Sequence, residues 1–190
     1  MKNRNDKIRL ITFGGILTAL VILLQYFSNY IYFGPFSITL ALIPILIGAI
    51  LFGPFMGAWL GFVFGLVVLL SGQAAPFMLI SAFGTILTVL LKGMGAGFVA
   101  GLLYKVISKK KSSVGTIAAS VLCPLVNTGI FILGCLAFFL SGLKEWAGSE
   151  NVIKYIFTGL VGTNFIVEFL VVVILCPTIV KILKLTKLYK

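Results

Sequence analysis

From Ser37 to Gly72 the chain carries no charged residue, and one turn signal, Phe52-Gly53-Pro54, divides the stretch into two apolar runs. Proline removes a backbone donor and disfavours a helical conformation in the residue before it, so a helix that reaches Gly53 stops there. At 1.5 Å per residue, runs of about 16 and 17 residues cross most or all of a hydrocarbon core roughly 30 Å thick. The stretch therefore predicts a helical hairpin that enters and leaves a membrane through a tight turn.

The remainder of the chain has the same character. Of its 190 residues 61% are hydrophobic and 10% charged, and a soluble domain of that length cannot bury so much apolar surface. No alternating pattern of about ten residues recurs, which favours helices over a barrel. The expected fold is all-α, a single membrane domain over 1–190 with six transmembrane helices near 8–27, 37–52, 55–71, 84–105, 114–140 and 152–180. As one straight helix, Phe77 to Ile107 would run about 46 Å. Its first third is therefore read as an outer loop or short tilted helix, with Lys92 in the outer half of the membrane.

Charge sets the orientation. The net charge is +11, and the basic residues cluster at Lys2 to Arg9, at Lys105 and Lys109 to Lys111, and from Lys181 to Lys190. These clusters flank apolar runs as the positive-inside bias requires of cytoplasmic ends, which puts both termini inside. No aromatic residues interleave with them for base stacking, so phospholipid headgroups suit this charge better than nucleic acid.

Catalysis finds little support. Histidine is absent, and there is no Gly-x-x-x-x-Gly-Lys-Ser/Thr loop and no pair of acids within the membrane. Cys123, Cys135 and Cys176 each sit inside an apolar run and read as small packing residues. No enzyme, catalytic residue, metal site or cofactor is expected.

Lys92 and Glu168 are the two charges set deep in apolar runs. An ionisable group there costs a few kcal/mol and turns to the bundle interior to find a partner. Two readings stand side by side. Lys92 and Glu168 form a salt bridge that locks two spans together, or Lys92 meets an anionic group of a ligand while Glu168 meets a hydroxyl or amine. Asn164 and Glu168, four residues apart, share one helix face. Asn127 on the preceding span points into the same space or makes an interhelical hydrogen bond. Gln73 at an outer break, and Tyr32 in the loop from Asn29 to Phe36, complete the candidates, Tyr32 being equally an interfacial anchor. Ile11, Gly15 and Ala19 recur every four residues on the first span, a spacing that lets another helix approach, outside the bundle or within it. Gly93, Gly97 and Gly101 repeat the spacing and are read as internal packing.

The hairpin TLALIPILIGAILFGPFMGAWLGFVFGLV, followed by LLKGMGAGFVAGLLYKVI, resembles the substrate-binding S component of an energy-coupling factor (ECF) vitamin transporter. The resemblance covers nearly the whole chain, although neither stretch is a chemical motif. It implies a multi-pass protein of the cell membrane, bacterial in origin. Such a protein binds a water-soluble vitamin from outside and docks on a transmembrane coupling subunit served by two ATPase subunits, which consume the ATP. The family's first span often carries Ala-x-x-x-Ala as a docking patch, and Gly15 and Ala19 stand at the matching positions. Pantothenate suits the residues, its carboxylate for Lys92 and its hydroxyls and amide for Asn127, Asn164 and Glu168. Folate, pyridoxine, niacin and cobalamin are alternatives, and riboflavin has less need of Lys92. An ion-driven secondary transporter would show inverted repeats and more buried carboxylates. A ligand-free assembly subunit would not need Lys92 for any small molecule.

Overall fold

A computed structural model of the chain describes residues 4–28, 30, 32–33, 36–37, 39–148 and 150–185, the side chains at 4–6, 32–33, 36–37, 163 and 184–185 lying outside that description. Nearly all of it is helix. Four helices among the described residues are long and apolar enough to cross a membrane: α1 (Arg4–Ser28), α5 (Ala82–Ile107), α6 (Ser112–Phe138) and α9 (Gly162–Leu185). Between them lie α2 (Leu42–Phe52), α3 (Pro54–Leu70) and the short α4 (Ala75–Ile80), α7 (Leu140–Ala147) and α8 (Val152–Tyr155). Tyr32–Phe33 (β1) and Phe36–Ser37 (β2) pair antiparallel after α1.

The turn at Gly53 has a backbone cause. Gly53 adopts φ 97° and ψ 178°, a region essentially restricted to glycine, and its N–H closes α2 on the carbonyl of Ala49. Pro54 then opens α3, where its fixed φ is already helical and its missing N–H is no loss. The second expected span, 37–52, is helical only from Leu42. Its 11 residues cover about 16 Å, half the thickness of the hydrocarbon core. From Leu42 to Leu51 every residue except Ile43 is buried, as befits a helix that is hydrophobic on all sides. It packs on α1, α3, α5, α6 and α9 and forms the centre of the larger apolar core.

α3 and α5 lie in backbone contact. A Cβ on Gly61 would strike the Gly93 carbonyl, one on Gly97 would strike Gly57, and Gly101 rests on Pro54. Gly93, Gly97 and Gly101 thus serve packing inside the bundle. Between α4 and α5 the chain breaks at Ser81, whose Oγ accepts the Gly84 N–H at 3.2 Å and caps α5.

The region expected as one span at 152–180 is three pieces. After α8 the backbone widens into a π-helical segment, Ile156–Val161, and departs from helical values at Gly162, the first residue of α9. Glycines at 159 and 162 lower helix propensity where this happens. A second apolar cluster, of Phe77, Cys135, Phe139, Leu143, Ile156 and Leu160, forms there.

The ends of the bundle differ in charge. The Phe13 ring lies 6.0 Å from that of Phe52, so the start of α1 is at the Gly53-Pro54 end, as is Gly101. Lys7, Arg9, Lys105 and the lysines of the α5–α6 turn therefore gather at one end, and α9 runs from Glu168 at the other end towards Lys181.

Candidate functional site

A cavity of about 330 Å3 occupies the half-bundle that the short α2 leaves unfilled, between the two apolar clusters. It lies within the range of small-molecule sites and equals the liquid volume of about eleven waters. Lys92, Asn127, Asn164, Glu168 and Gln73 all line it, so five side chains from four separate parts of the chain share one space. The side chain of Tyr32 lies outside the described residues.

Lys92 enters from α5 between two rings. Its ammonium stands 5.5 Å from the centroid of Phe64 on α3 and 5.3 Å from that of Phe131 on α6. Each ring attracts the cation by about 0.5–2 kcal/mol, but neither accepts the three N–H donors of the ammonium in ordinary hydrogen bonds. Among the described residues no carboxylate lies within 4.0 Å of it. The expected alternative of a Lys92–Glu168 salt bridge is thus not what the fold builds. The ammonium lies between two aromatic faces in the cavity wall, within electrostatic reach of Glu168 but not paired with it.

Glu168, only 7% exposed, is held elsewhere. One carboxylate oxygen accepts the Thr39 N–H at 3.3 Å and the other accepts Asn127 Nδ2 at 3.5 Å. Thr39 stands just before the N-terminus of α2, where a helix dipole favours a negative charge. Because Asn127 turns its amide nitrogen to Glu168, its Oδ1 is left facing away. Among the described residues it is one of four buried side-chain atoms without a protein partner, the others being Gln25 Oε1, Thr88 Oγ1 and Asn164 Oδ1. All four residues line the cavity. A buried polar atom without a partner carries a penalty of about 1–3 kcal/mol, and three amide oxygens with one hydroxyl in one space suit a guest with N–H or O–H groups.

Several wall residues escaped the sequence reading. Gln25 on α1 is 1% exposed and donates its Nε2 to Gln73 Oε1 at 2.6 Å. It is an amide isolated in an otherwise apolar span, and that isolation was a readable signal. Thr39 meets Glu168 through its backbone N–H and its hydroxyl, and a lone threonine before an apolar run gives no distinctive signal. Thr88, Phe64 and Phe131 look like ordinary interior residues until tertiary packing sets them around Lys92.

The first-span residues lie elsewhere. Ile11 is 74% exposed, Ala19 is exposed, and a Cβ on Gly15 would meet nothing within 4 Å. The inward role falls to Gly14, which abuts Met56. Gly15 and Ala19 therefore do not pack inside this bundle.

No curated protein and no solved structure shows a significant match to the chain. A family model described as "ECF transporter, substrate-specific component" matches residues 9–180. With a multi-pass apolar bundle and a cavity that takes in Lys92, Asn127 and Glu168, the chain belongs to the family of substrate-specific components of ECF transporters.

Proposed function

We propose that this chain is the vitamin-binding subunit of an ECF-type importer and that its ligand is pantothenate. The observation that carries the reading is the cavity itself. Among the described residues, a half-buried ammonium without an ion pair, a hydrogen-bonded carboxylate and four unpartnered polar atoms share its walls. A molecule with a carboxylate at one end and hydroxyl and amide donors at the other complements these groups. A ligand-free assembly subunit gives no reason for such a set of unpaired groups.

Six spans follow if α2 and α3 cross as a hairpin and α8, the π-helical segment and α9 form the last. The cavity lies at the end of the bundle away from Lys7, Arg9, Lys105 and Lys109 to Lys111. By the positive-inside bias it then opens to the outside, with both termini in the cytoplasm. Ile11, Gly15 and Ala19 offer an exposed, shallow helix face for the transmembrane coupling subunit, whose two ATPase subunits would supply the energy. The bound vitamin is released inside after docking.

The direct test is mass spectrometry of small molecules released from the purified, then denatured, protein. One vitamin in near-stoichiometric yield establishes the class, and pantothenate establishes the ligand. Another vitamin corrects the ligand alone. If nothing is released and none of pantothenate, folate, pyridoxine, niacin, cobalamin and riboflavin binds, vitamin binding is wrong.

A further inference from the structure

α1 is an apolar helix that reaches the polar cavity at one point. From Leu10 to Phe27 its side chains are apolar or absent except at Thr12, Thr18, Gln25 and Tyr26. It packs mainly on α2 and α3, and most of its other large side chains, from Ile11 to Phe27, are exposed. Gln25 breaks the pattern. It is buried, lines the cavity, spends its nitrogen on Gln73 of the α3–α4 turn and, among the described residues, leaves Oε1 without a partner. One turn on, the buried Ser28 accepts the Leu40 N–H at 3.4 Å, and the neighbouring Thr39 N–H is held by Glu168. The cavity end of α1 is thus tied, directly and through residues 39 and 40, to the groups that would hold a ligand.

The middle of α1 carries a polar contact of its own. Thr18 Oγ1 accepts the indole N–H of Trp59 on α3 at 3.3 Å while donating to Gly14 O at 2.7 Å. Thr18 is seven residues from Gln25 and seven from Ile11, about 10 Å each way along the axis. Leu17 and Val21 are buried on the same helix and Gly14 abuts Met56, so α1 is engaged along its length and shifts as one stiff body. A displacement at Gln25 is therefore carried to Thr18, where it alters the contact with Trp59, and on to Ala19, Gly15 and Ile11.

We propose that Gln25 is a ligand contact that sets the tilt of α1, so that filling of the cavity is passed along α1 to its outward face at Ile11, Gly15 and Ala19. This rests on the vitamin-binding reading. A donor on the ligand that takes Gln25 Oε1 favours one position of the carboxamide over others. That differential contact is what allows a ligand to shift a conformational equilibrium. The outward face is then presented differently in the filled and empty states, without any change in the face's own residues.

Trp59 is the reporter. The chain has two tryptophans, and Trp146→Phe leaves Trp59 alone beside Thr18. In that background the full chain in lipid nanodiscs is titrated with pantothenate, folate, pyridoxine, niacin, cobalamin and riboflavin. Binding is read by equilibrium dialysis, and the wavelength of the Trp59 emission maximum is read in parallel. The expected result is a ligand-dependent shift of the maximum that Gln25→Met loses, while affinity falls by no more than about tenfold, the share of one neutral hydrogen bond. Gln73→Met, which releases the turn but keeps Gln25, retains the shift and serves if Gln25→Met does not fold. Binding without any Trp59 shift, an unchanged shift in Gln25→Met, or loss of the shift in Gln73→Met overturns the coupling through α1 and leaves the vitamin reading intact. Failure of all six vitamins to bind the unmutated chain overturns both.

Discussion

Replacing Lys92 by methionine separates binding from stability in a way the geometry makes quantitative. A charge-assisted hydrogen bond contributes about 1.5–3 kcal/mol. If Lys92 takes the ligand's carboxylate, Lys92→Met should therefore weaken pantothenate binding by roughly 10- to 150-fold. Stability should move little. A lysine deep in a membrane costs about 2.5–3.5 kcal/mol, against which the Phe64 and Phe131 rings return about 0.5–2 kcal/mol each. Methionine removes cost and return together and packs well against aromatic rings, so the net change lies within about 2 kcal/mol of zero. Cys123, Cys135 and Cys176 are buried, so a thiol-reactive dye followed through a thermal ramp reports unfolding directly. Binding is measured for pantothenate and for its alcohol analogue, which lacks the carboxylate. The variant should lose the acid and keep the alcohol, erasing the difference between them. Equal loss of both ligands, or unchanged affinity for the acid, refutes the anion-anchor role. A fall in unfolding temperature of many degrees would show instead that Lys92 is structural.

Two further substitutions test the frame and the other wall of the cavity. Gly93→Ala drives a methyl into the Gly61 backbone and the Phe64 ring and should destabilise by about 1–3 kcal/mol, lowering the dye-detected unfolding temperature. Gly15→Ala, with open space around it, should stay within about 0.5 kcal/mol of the parent. Glu168→Leu leaves the Thr39 N–H and Asn127 Nδ2 unpaired and should lower stability by about 1–3 kcal/mol for each. Glu168→Gln keeps an acceptor for Thr39 and should recover most of that loss in the same assay. Equal unfolding temperatures for the Leu and Gln variants would show that these hydrogen bonds contribute nothing.

Much of the site was readable one residue at a time. Lys92 and Glu168 stood out because charge inside an apolar run is expensive, and Asn164 followed from helical spacing to Glu168. What could not be read was how Lys92 and Glu168 relate. Opposite charges in one bundle suggest an ion pair. In the fold Phe64 and Phe131 flank the ammonium, while Thr39 and Asn127 occupy the carboxylate. Thr39 meets the carboxylate with its backbone N–H and its hydroxyl, but a threonine beside an apolar run is too ordinary to mark it in the sequence. Gln25 could have been noticed as an isolated amide, but its partner Gln73 lies 48 positions away and only tertiary contact pairs them.

Local chemistry determined the membrane class, the break at Gly53-Pro54 and the end of the bundle that carries positive charge. Each depends on a transfer free energy or a backbone preference that acts within a few residues. Tertiary structure decided that α2 begins only at Leu42, that the last apolar region widens into a π-helical segment, and that Gly14 faces inward while Gly15 faces out. Hydropathy averages over a window and cannot distinguish a residue buried by protein from one covered by lipid, since both surroundings are apolar. The cavity exists because a helix half the membrane's thickness is ringed by longer ones, and only the assembled bundle specifies what remains above its end.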